Sequence, residues 1–461
     1  MTLIKSISGI RGTIGGKVGD GLSPIDVVKF TSAFGYWIKQ RNRGVRCRIV
    51  IGRDARMSGQ MVSKLVTATL QGLGIDVVDL GLSTTPTVEV MVPECKAQAG
   101  IILTASHNPR QWNALKLLNE KGEFISGAEG AEVLQIAEDG AFEYVEVDHL
   151  GTYQALQDSM QVHIKQILAL DLVDVEAIRE RNFKVAFDAV NSTGGIFIPE
   201  LLYQLGVKEV LPLYAEPTGD FPHNPEPLPE HLTEISNVIK QQQADVGFVV
   251  DPDVDRLAIV NEDGSMFGEE YTLVAVADYV LAHKKGDTVS NMSSTRAFRD
   301  VSEKHGVSHH ASAVGEVNVV DKMKEVNAVI GGEGNGGIIY PELHYGRDAL
   351  VGIALFLTLL AKKDMSCSAL RKTYPEYVIS KNKIQLTPEI NVDEVLEAMK
   401  EKYSQYPVNT VDGVKIEFEN EWVHLRKSNT EPIIRIYAES KTKADADKLA
   451  EDMIGHIREV L

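Results

Sequence analysis

One plan recurs along this chain: a strand rich in β-branched residues, a loop bearing Ser, Thr, Asp or Asn, a helical stretch, then a glycine turn into another strand. It is read first in R-I-V-I-G-R-D-A-R-M-S-G-Q from Arg48, with a helix to Gln71, a turn at Gly74 and a strand over 75–80. It returns in K-V-A-F-D-A-V-N-S-T-G-G from Lys184, turning at Gly206, and more weakly in D-T-V-S-N-M-S-S-T-R-A-F from Asp287, turning at Gly306. Strands alternating with helices argue for α/β units on largely parallel or mixed sheets. The recurrence predicts three similar α/β domains. After Tyr374-Pro375 the order becomes strand 384–386, helix 392–403, strands 414–418, 421–425 and 433–438, and a last helix from Thr442, which suggests a smaller C-terminal α+β domain. The division expected is 1–153, 154–257, 258–374 and 375–461.

A chain of 461 residues can bury several cores, and its 44% hydrophobic and 24% charged content is that of a soluble globular protein. The net charge of -18 argues against nucleic acid or an acidic membrane surface as partner, because both need a positive field. An anionic ligand must therefore be held by a local cluster of Arg and Lys. Cys47, Cys95 and Cys367 are widely separated and odd in number, which indicates neither a disulfide framework nor a zinc site, so a reducing cytoplasm is expected. The start, M-T-L-I-K-S-I-S-G-I-R-G, does not read as a secretory signal. The longest apolar segment, 349–361, falls short of the roughly 18 residues of a membrane span and reads as a buried core helix.

Four stretches carry chemistry. In G-I-I-L-T-A-S-H-N-P-R-Q-W-N-A-L-K-L from Gly100, a buried strand ends in a loop that Pro109 keeps from continuing as strand or helix, so Ser106 sits where a nucleophile would. His107 and Asn108 add donors, and Lys116 is close enough to fold back. In V-G-F-V-V-D-P-D-V-D-R-L-A-I-V, three carboxylates, Asp251, Asp253 and Asp255, follow an apolar strand. They repel one another unless a cation such as Mg²⁺ or Ca²⁺ neutralises them. An EF-hand fails there, because Arg256 takes the slot that needs Gly and strands flank the loop. G-G-E-G-N-G-G from Gly331 offers Glu333 and Asn335 to sugar-type hydroxyls but lacks the Lys and Ser/Thr of a phosphate loop. H-L-R-K-S-N-T-E-P-I-I-R runs from a strand into a turn, where Arg426, Ser428, Asn429, Thr430 and Arg435 suit a phosphate; a turn capping its own backbone is the alternative. Arg11, Arg53 and Arg56, each seen alone, are surface or ion-paired residues.

T-A-S-H-N-P, D-P-D-V-D-R, G-E-G-N-G-G and R-K-S-N-T-E-P, in this order and over essentially the whole chain, resemble the α-D-phosphohexomutase superfamily. The resemblance implies a heart-shaped four-domain α/β protein with a central cleft. It implies that Ser106 is the phosphoserine, and that Asp251, Asp253 and Asp255 bind Mg²⁺ with a phosphoserine oxygen. Arg256 would lie near the transferred phosphate, Glu333 and Asn335 would hold sugar hydroxyls, and Arg426, Ser428, Asn429, Thr430 and Arg435 would grip the other phosphate. Lys116 is the candidate general acid/base, with His107 supporting the loop and Arg11 facing the cleft. The partner implied is a sugar phosphate, with a hexose bisphosphate as intermediate or activator, and the protein a monomer or homodimer. Pro252 and Val254 depart from the family's metal loop, Asn335 and Gly337 from its usual Ser and His, and Val314-Gly315-Glu316 from its K/T-G-H. The last three look closer to phosphoglucosamine mutases, with glucose and mannose phosphates as alternatives. A serine hydrolase lacks its G-x-S-x-G elbow here; a phosphatase and a non-catalytic sugar-phosphate sensor are the other readings.

Overall fold

The computed structural model describes residues 2–6, 9–385, 390–427 and 433–460. The chain forms two compact units, one from Met1–Thr272 with Gly336–Leu370, the other from Leu273–Asn335 with Arg371–Leu461.

In the first unit, β1 (Ile4–Ser6), β2 (Gly9–Thr13), β3 (Arg48–Arg53), β4 (Asp76–Leu82), β5 (Ala99–Leu103), β6 (Trp112–Leu118) and β7 (Tyr153–Ala155) form one sheet of order β1-β2-β6-β5-β3-β4-β7. The strand period of two sorts its side chains. Ile49, Ile51, Ile101 and Leu103 pack with Phe34, Val62 and Val66 of helices Pro24–Arg41 and Gly59–Gly72. Val50 and Ile102 face the other way, onto Val88, Met91 and Val92 of helix Thr85–Glu94. Ser23 begins the first helix with a reciprocal capping box to Asp26 and Pro24 directly after it, where the missing N–H costs nothing. β3, β4, β5 and β7 run parallel, whereas β6 is antiparallel to both its neighbours. The sheet is therefore mixed. Sequence pattern did not anticipate β6, because Asn113 and Lys116 interrupt its apolar run; in the fold it returns from β5 with Ile102 opposite Lys116.

The second sheet, β8 (Lys184–Asp188), β9 (Glu209–Leu213), β10 (Val246–Val250) and β11 (Leu257–Asn261), has order β11-β10-β8-β9. Only β11 is antiparallel, so residues 251–256 form the turn of a hairpin at the end of β10. In the second unit β12 (Thr288–Asn291), β13 (His309–Ser312) and β14 (Ile330–Glu333) are parallel in order β13-β12-β14; β15 (Gly337–Ile339) lies in the first unit. The last sheet, β16 (Val378–Gln385), β17 (Val408–Asn409), β18 (Val414–Glu417), β19 (Trp422–Lys427) and β20 (Ile433–Ser440), is antiparallel throughout, in order β16-β20-β19-β18-β17. Helices Val392–Lys402 and Lys443–Val460 cover it through Leu396, Met399, Met453 and Ile457. Three α/β sheets followed by an antiparallel C-terminal domain meet the expectation from the sequence.

The apolar segment read as a core helix is Ala349–Lys363, buried from Ala349 to Leu360. No helix among the described residues is long and apolar enough to cross a membrane. Its Phe356 meets Phe248 and Phe267 edge-on, at 6.2 and 5.2 Å between ring centroids. Phe356→Ala is expected to cost about 3–5 kcal/mol through the cavity it leaves, read as a lower urea midpoint for the first unit's unfolding.

Candidate active site

Ser106 stands one turn beyond β5 in the left-handed backbone region, at φ +48°. A non-glycine residue holds such a conformation only when its surroundings over-determine it. Here Arg56 does so. Fully buried, its guanidinium donates to the carbonyls of Ser106 (2.5 Å), Asn108 (2.7 Å), Pro109 (2.8 Å) and Trp112 (3.0 Å), and its Nε donates to Asp54 Oδ2 at 3.0 Å. The same Asp54 oxygen accepts from Thr104 Oγ1 at 2.7 Å, and Thr104 Oγ1 accepts from the Ser106 amide at 2.9 Å. The loop is thus closed on itself. The G-R-D-A-R segment read as lone cations supplies its clamp, and Asp54, two residues before Arg56, was the available signal.

From this loop Ser106 Oγ donates to Asp251 Oδ2 at 2.6 Å. Asp251, Asp253 and Asp255 are completely buried, with a carboxylate oxygen of each within 4.8 Å of the others. Asp251 Oδ1 accepts the amides of Asp255 and Arg256, both at 3.1 Å, which curls the turn around one carboxylate. Val254, a β-branched residue at φ +62°, holds the bend that alternates the ligands, and its carbonyl is tied to the Ala349 amide at 3.2 Å. Lys116 arrives from β6, its Nζ 2.7 Å from Asp253 Oδ2 and 3.4 Å from Asp255 Oδ2. Two partners went unread in the sequence. Arg347 donates to Asp255 Oδ2 at 2.7 Å, and Thr85 donates its hydroxyl to Asp253 Oδ2 at 2.5 Å and its amide to the Asp253 carbonyl at 2.8 Å. Asp253 Oδ1 and Asp255 Oδ1 remain buried without a hydrogen-bond partner. Buried carboxylate oxygens left over in an all-oxygen cluster fit a hard divalent cation.

The titration behaviour follows from this crowding. Burial, then the charges of Asp255 and Asp253, push Asp251 well above the usual carboxylate range. Burial would do the same to Asp253, but Lys116 and its hydrogen bond draw it below that range. Burial opposes the Lys116 charge, yet Asp253 and Asp255 outweigh it and hold the ammonium above its ordinary value. His107 Nδ1 lies 3.4 Å from Ser106 Oγ, and burial followed by Arg256 and Arg347 keeps its imidazole neutral. Arg256 also reaches Glu226 at 3.4 Å. Arg11, on β2, is lowered by burial and by Arg256 while Asp253 opposes, which locates it in the field of the cluster.

The remaining candidates lie in the second unit. Glu333 Oε1, at the end of β14, accepts from Asn291 Nδ2 at 2.8 Å and from the Gly315 amide at 3.1 Å. The neighbouring Val314 amide donates to Asp412 Oδ2 at 3.0 Å, the oxygen that also pairs with Arg426 Nε at 2.8 Å. Two successive amides of the V-G-E segment therefore connect the sugar-type residue to the phosphate-type cation. Asn335 is half-buried in the turn after β14, and Arg435 lies opposite Arg426 across β19 and β20. Ser428, Asn429 and Thr430 fall outside the described residues.

Comparison with known proteins gives the family of the chain. Residues 3–144, 161–264 and 268–377 match alpha/beta/alpha domains I, II and III of phosphoglucomutase/phosphomannomutase, and 383–456 match its C-terminal domain. A phosphoglucomutase/phosphomannomutase of Thermococcus kodakarensis is 33% identical over 98% of both chains. A phosphoglucosamine/phosphogalactosamine mutase of Sulfurisphaera tokodaii is 31% identical over 96% of this chain and 97% of that one. The crystal structure of a phosphoglucomutase/phosphomannomutase family protein from Burkholderia thailandensis superposes with a TM-score of 0.85 at 25% identity, covering 100% of this chain and 98% of its own. The fold and the succession of domains define a phosphohexomutase, an isomerase that transfers a phosphoryl group within a sugar phosphate. The chain belongs to the phosphoglucomutase/phosphomannomutase family of the α-D-phosphohexomutase superfamily.

Arg56→Ala is expected to cost about 3–5 kcal/mol, the penalty for stranding a buried partner such as Asp54, and to abolish turnover with the loop. Arg56→Lys keeps the charge but cannot reach four carbonyls, so thermal melting should place it between Ala and the native protein. In the second unit, burial first of all lowers His309 to about 3 and His424 to about 4. The unfolded chain takes up these protons near pH 6.5, so that unit should be fully stable above this pH and lose stability as pH falls toward 4. Melting curves between pH 7 and 4 check the sign, and His424→Asn should flatten the slope.

Proposed function

We propose that this protein interconverts hexose 1-phosphate and 6-phosphate through a phosphoserine at Ser106 and a bisphosphorylated sugar. The observation that carries the reading is the Ser106 hydroxyl 2.6 Å from Asp251, inside a buried carboxylate triad. A free serine hydroxyl is a weak nucleophile, so the resting enzyme carries phosphate on Ser106. The phosphorus–Oγ bond breaks as the phosphorus bonds to a sugar hydroxyl oxygen, and that hydroxyl's proton leaves to a base. The intermediate turns end for end and its other phosphoryl group returns to Ser106. Mg²⁺, held by Asp251, Asp253, Asp255 and a phosphoserine oxygen, would neutralise charge on the phosphoryl oxygens.

The chain's own cations divide the rest. Lys116, kept charged by Asp253 and Asp255, neutralises the transferred group and is the candidate general acid/base. Arg256 and Arg11 add positive charge, and neutral His107 supports the serine loop. Arg347 joins this set through Asp255. Glu333 and Asn335 take the sugar hydroxyls, while Arg426, Ser428, Asn429, Thr430 and Arg435 hold the phosphate that is not reacting. The division at 153, 257 and 374 assigns one motif to each domain. Glucosamine phosphate is the preferred substrate, supported by the V-G-E segment and G-G-E-G-N-G-G and by the phosphoglucosamine/phosphogalactosamine relative.

Ser106→Ala is expected to abolish conversion of 1-phosphate to 6-phosphate and to remove the fraction of purified protein that is one phosphate heavier by intact mass. Unchanged turnover with a chelator-resistant enzyme rejects the reading. Comparing kcat/KM for glucosamine, glucose and mannose 1-phosphates decides the sugar, and a glucose preference overturns the glucosamine assignment.

A further inference from the structure

Apart from the carboxylate triad, and inside the same unit, two imidazoles converge on one carboxylate oxygen. His163 Nε2 lies 3.0 Å and His344 Nε2 3.4 Å from Asp348 Oδ2. Ligand atoms of the three residues all fall within 4.8 Å of one another. The outer ring nitrogens are backed separately: Thr87 Oγ1 is 2.9 Å from His163 Nδ1, and Glu89 Oε2 is 3.4 Å from His344 Nδ1. Thr87 Oγ1 also shares a hydrogen bond with Thr84 Oγ1 at 2.6 Å. Asp348 commits Oδ1 to the amides of Leu350 and Val351, at 2.8 and 3.2 Å, which leaves Oδ2 to the imidazoles. The rings stand almost perpendicular, at 82°, so the two Nε2 atoms approach from different directions. His163 and Asp348 are fully buried, while His344 keeps a partly exposed edge.

We propose that His163, His344 and Asp348 form a second metal site, for a divalent ion of the zinc class, separate from Asp251, Asp253 and Asp255. A zinc–nitrogen bond of about 2.0–2.1 Å places neighbouring tetrahedral ligands roughly 3.3 Å apart, and the observed separations of 3.0 and 3.4 Å bracket that edge. Two imidazoles and one carboxylate select a borderline transition ion over Mg²⁺, which wants oxygen alone. On binding, each Nε2 presents its lone pair to the ion, so each imidazole takes the neutral tautomer with its proton on Nδ1. The Nδ1–H groups then donate to Thr87 and Glu89, the outer contacts that set tautomer and ring orientation at histidine–metal sites. A water on the His344 side completes the tetrahedron.

The site bears on the active centre by position. The segment that carries His344 and Asp348 also carries Arg347, paired with Asp255, and helix Thr85–Glu94 carries Thr87 and Glu89 as well as Thr85, bonded to Asp253. One ion would tie helix Ser159–Leu168 to the segment that carries Arg347, with helix Thr85–Glu94 held through the Thr87 and Glu89 contacts. Cysteine spacing gave no hint of it, since the ligands come from positions up to 185 residues apart.

The test counts zinc by elemental analysis after loading the full-length protein with Zn²⁺ and filtering it in excess Mg²⁺. One equivalent per chain is expected in the native protein and in Asp253→Asn, whereas His344→Asn should bind at least tenfold more weakly. Co²⁺ added to the unsubstituted protein should give the strong visible bands of a tetrahedral nitrogen-containing site, a readout that needs no variant to fold. Retention of zinc by His344→Asn, its loss in Asp253→Asn, or only the faint spectrum of an octahedral all-oxygen site overturns the proposal. Each of these outcomes is independent of whether the mutase reading holds.

Discussion

Three carboxylates buried within a few ångströms of one another are the constraint around which the first unit is built. Two like charges 4 Å apart repel by about 4 kcal/mol at an effective dielectric near 20, and burial raises the cost further. The fold answers with groups from four separate elements. Lys116 comes from β6, Arg347 from the segment before helix Ala349–Lys363, Thr85 from the start of helix Thr85–Glu94, and Ser106 from the loop after β5. Even so, Asp251 is driven well above its ordinary range, and two carboxylate oxygens are left without a hydrogen bond. Such incomplete neutralisation is consistent with a cation site and unlike a closed salt-bridge core.

The same region stores backbone strain. Ser106 at φ +48° and Val254 at φ +62° occupy conformations that cost of order 1–3 kcal/mol each. Arg56 offsets the first by collecting four carbonyls of the serine loop, and the helix start at Ala349 restrains the second. Stability spent on these two turns holds the Ser106 hydroxyl against Asp251.

A parallel economy operates in the second unit, where adjacent amides of Val314 and Gly315 address Asp412 and Glu333. Asp412 neutralises Arg426, and its carbonyl accepts from His424 Nε2 at 2.6 Å, while His424 Nδ1 meets Ser293 Oγ at 2.9 Å. A loop of the parallel sheet and a strand of the antiparallel one are thereby joined through a neutral, buried histidine. The pair with Asp412 keeps the Arg426 cation in place without leaving it unpaired.

Much of this was legible in the chain. The recurring strand, loop, helix and glycine turn determined the α/β sheets, because the alternation of periods two and 3.6 is a local property. The alternating aspartates after β10 and the serine after β5 were visible for the same reason, each being a short motif at the end of an apolar strand. Other features required the tertiary structure. β6 hid behind Asn113 and Lys116, whose polar side chains a strand tolerates because Asn113 bonds Ser58 and Lys116 pairs with the aspartates. Arg56, Arg347, Thr85 and the trio of His163, His344 and Asp348 looked like ordinary loop, cap or helix residues. Their chemistry arises from charges and hydrogen bonds across long sequence separations, and Coulomb's law acts on distance in space, which the order of residues does not contain.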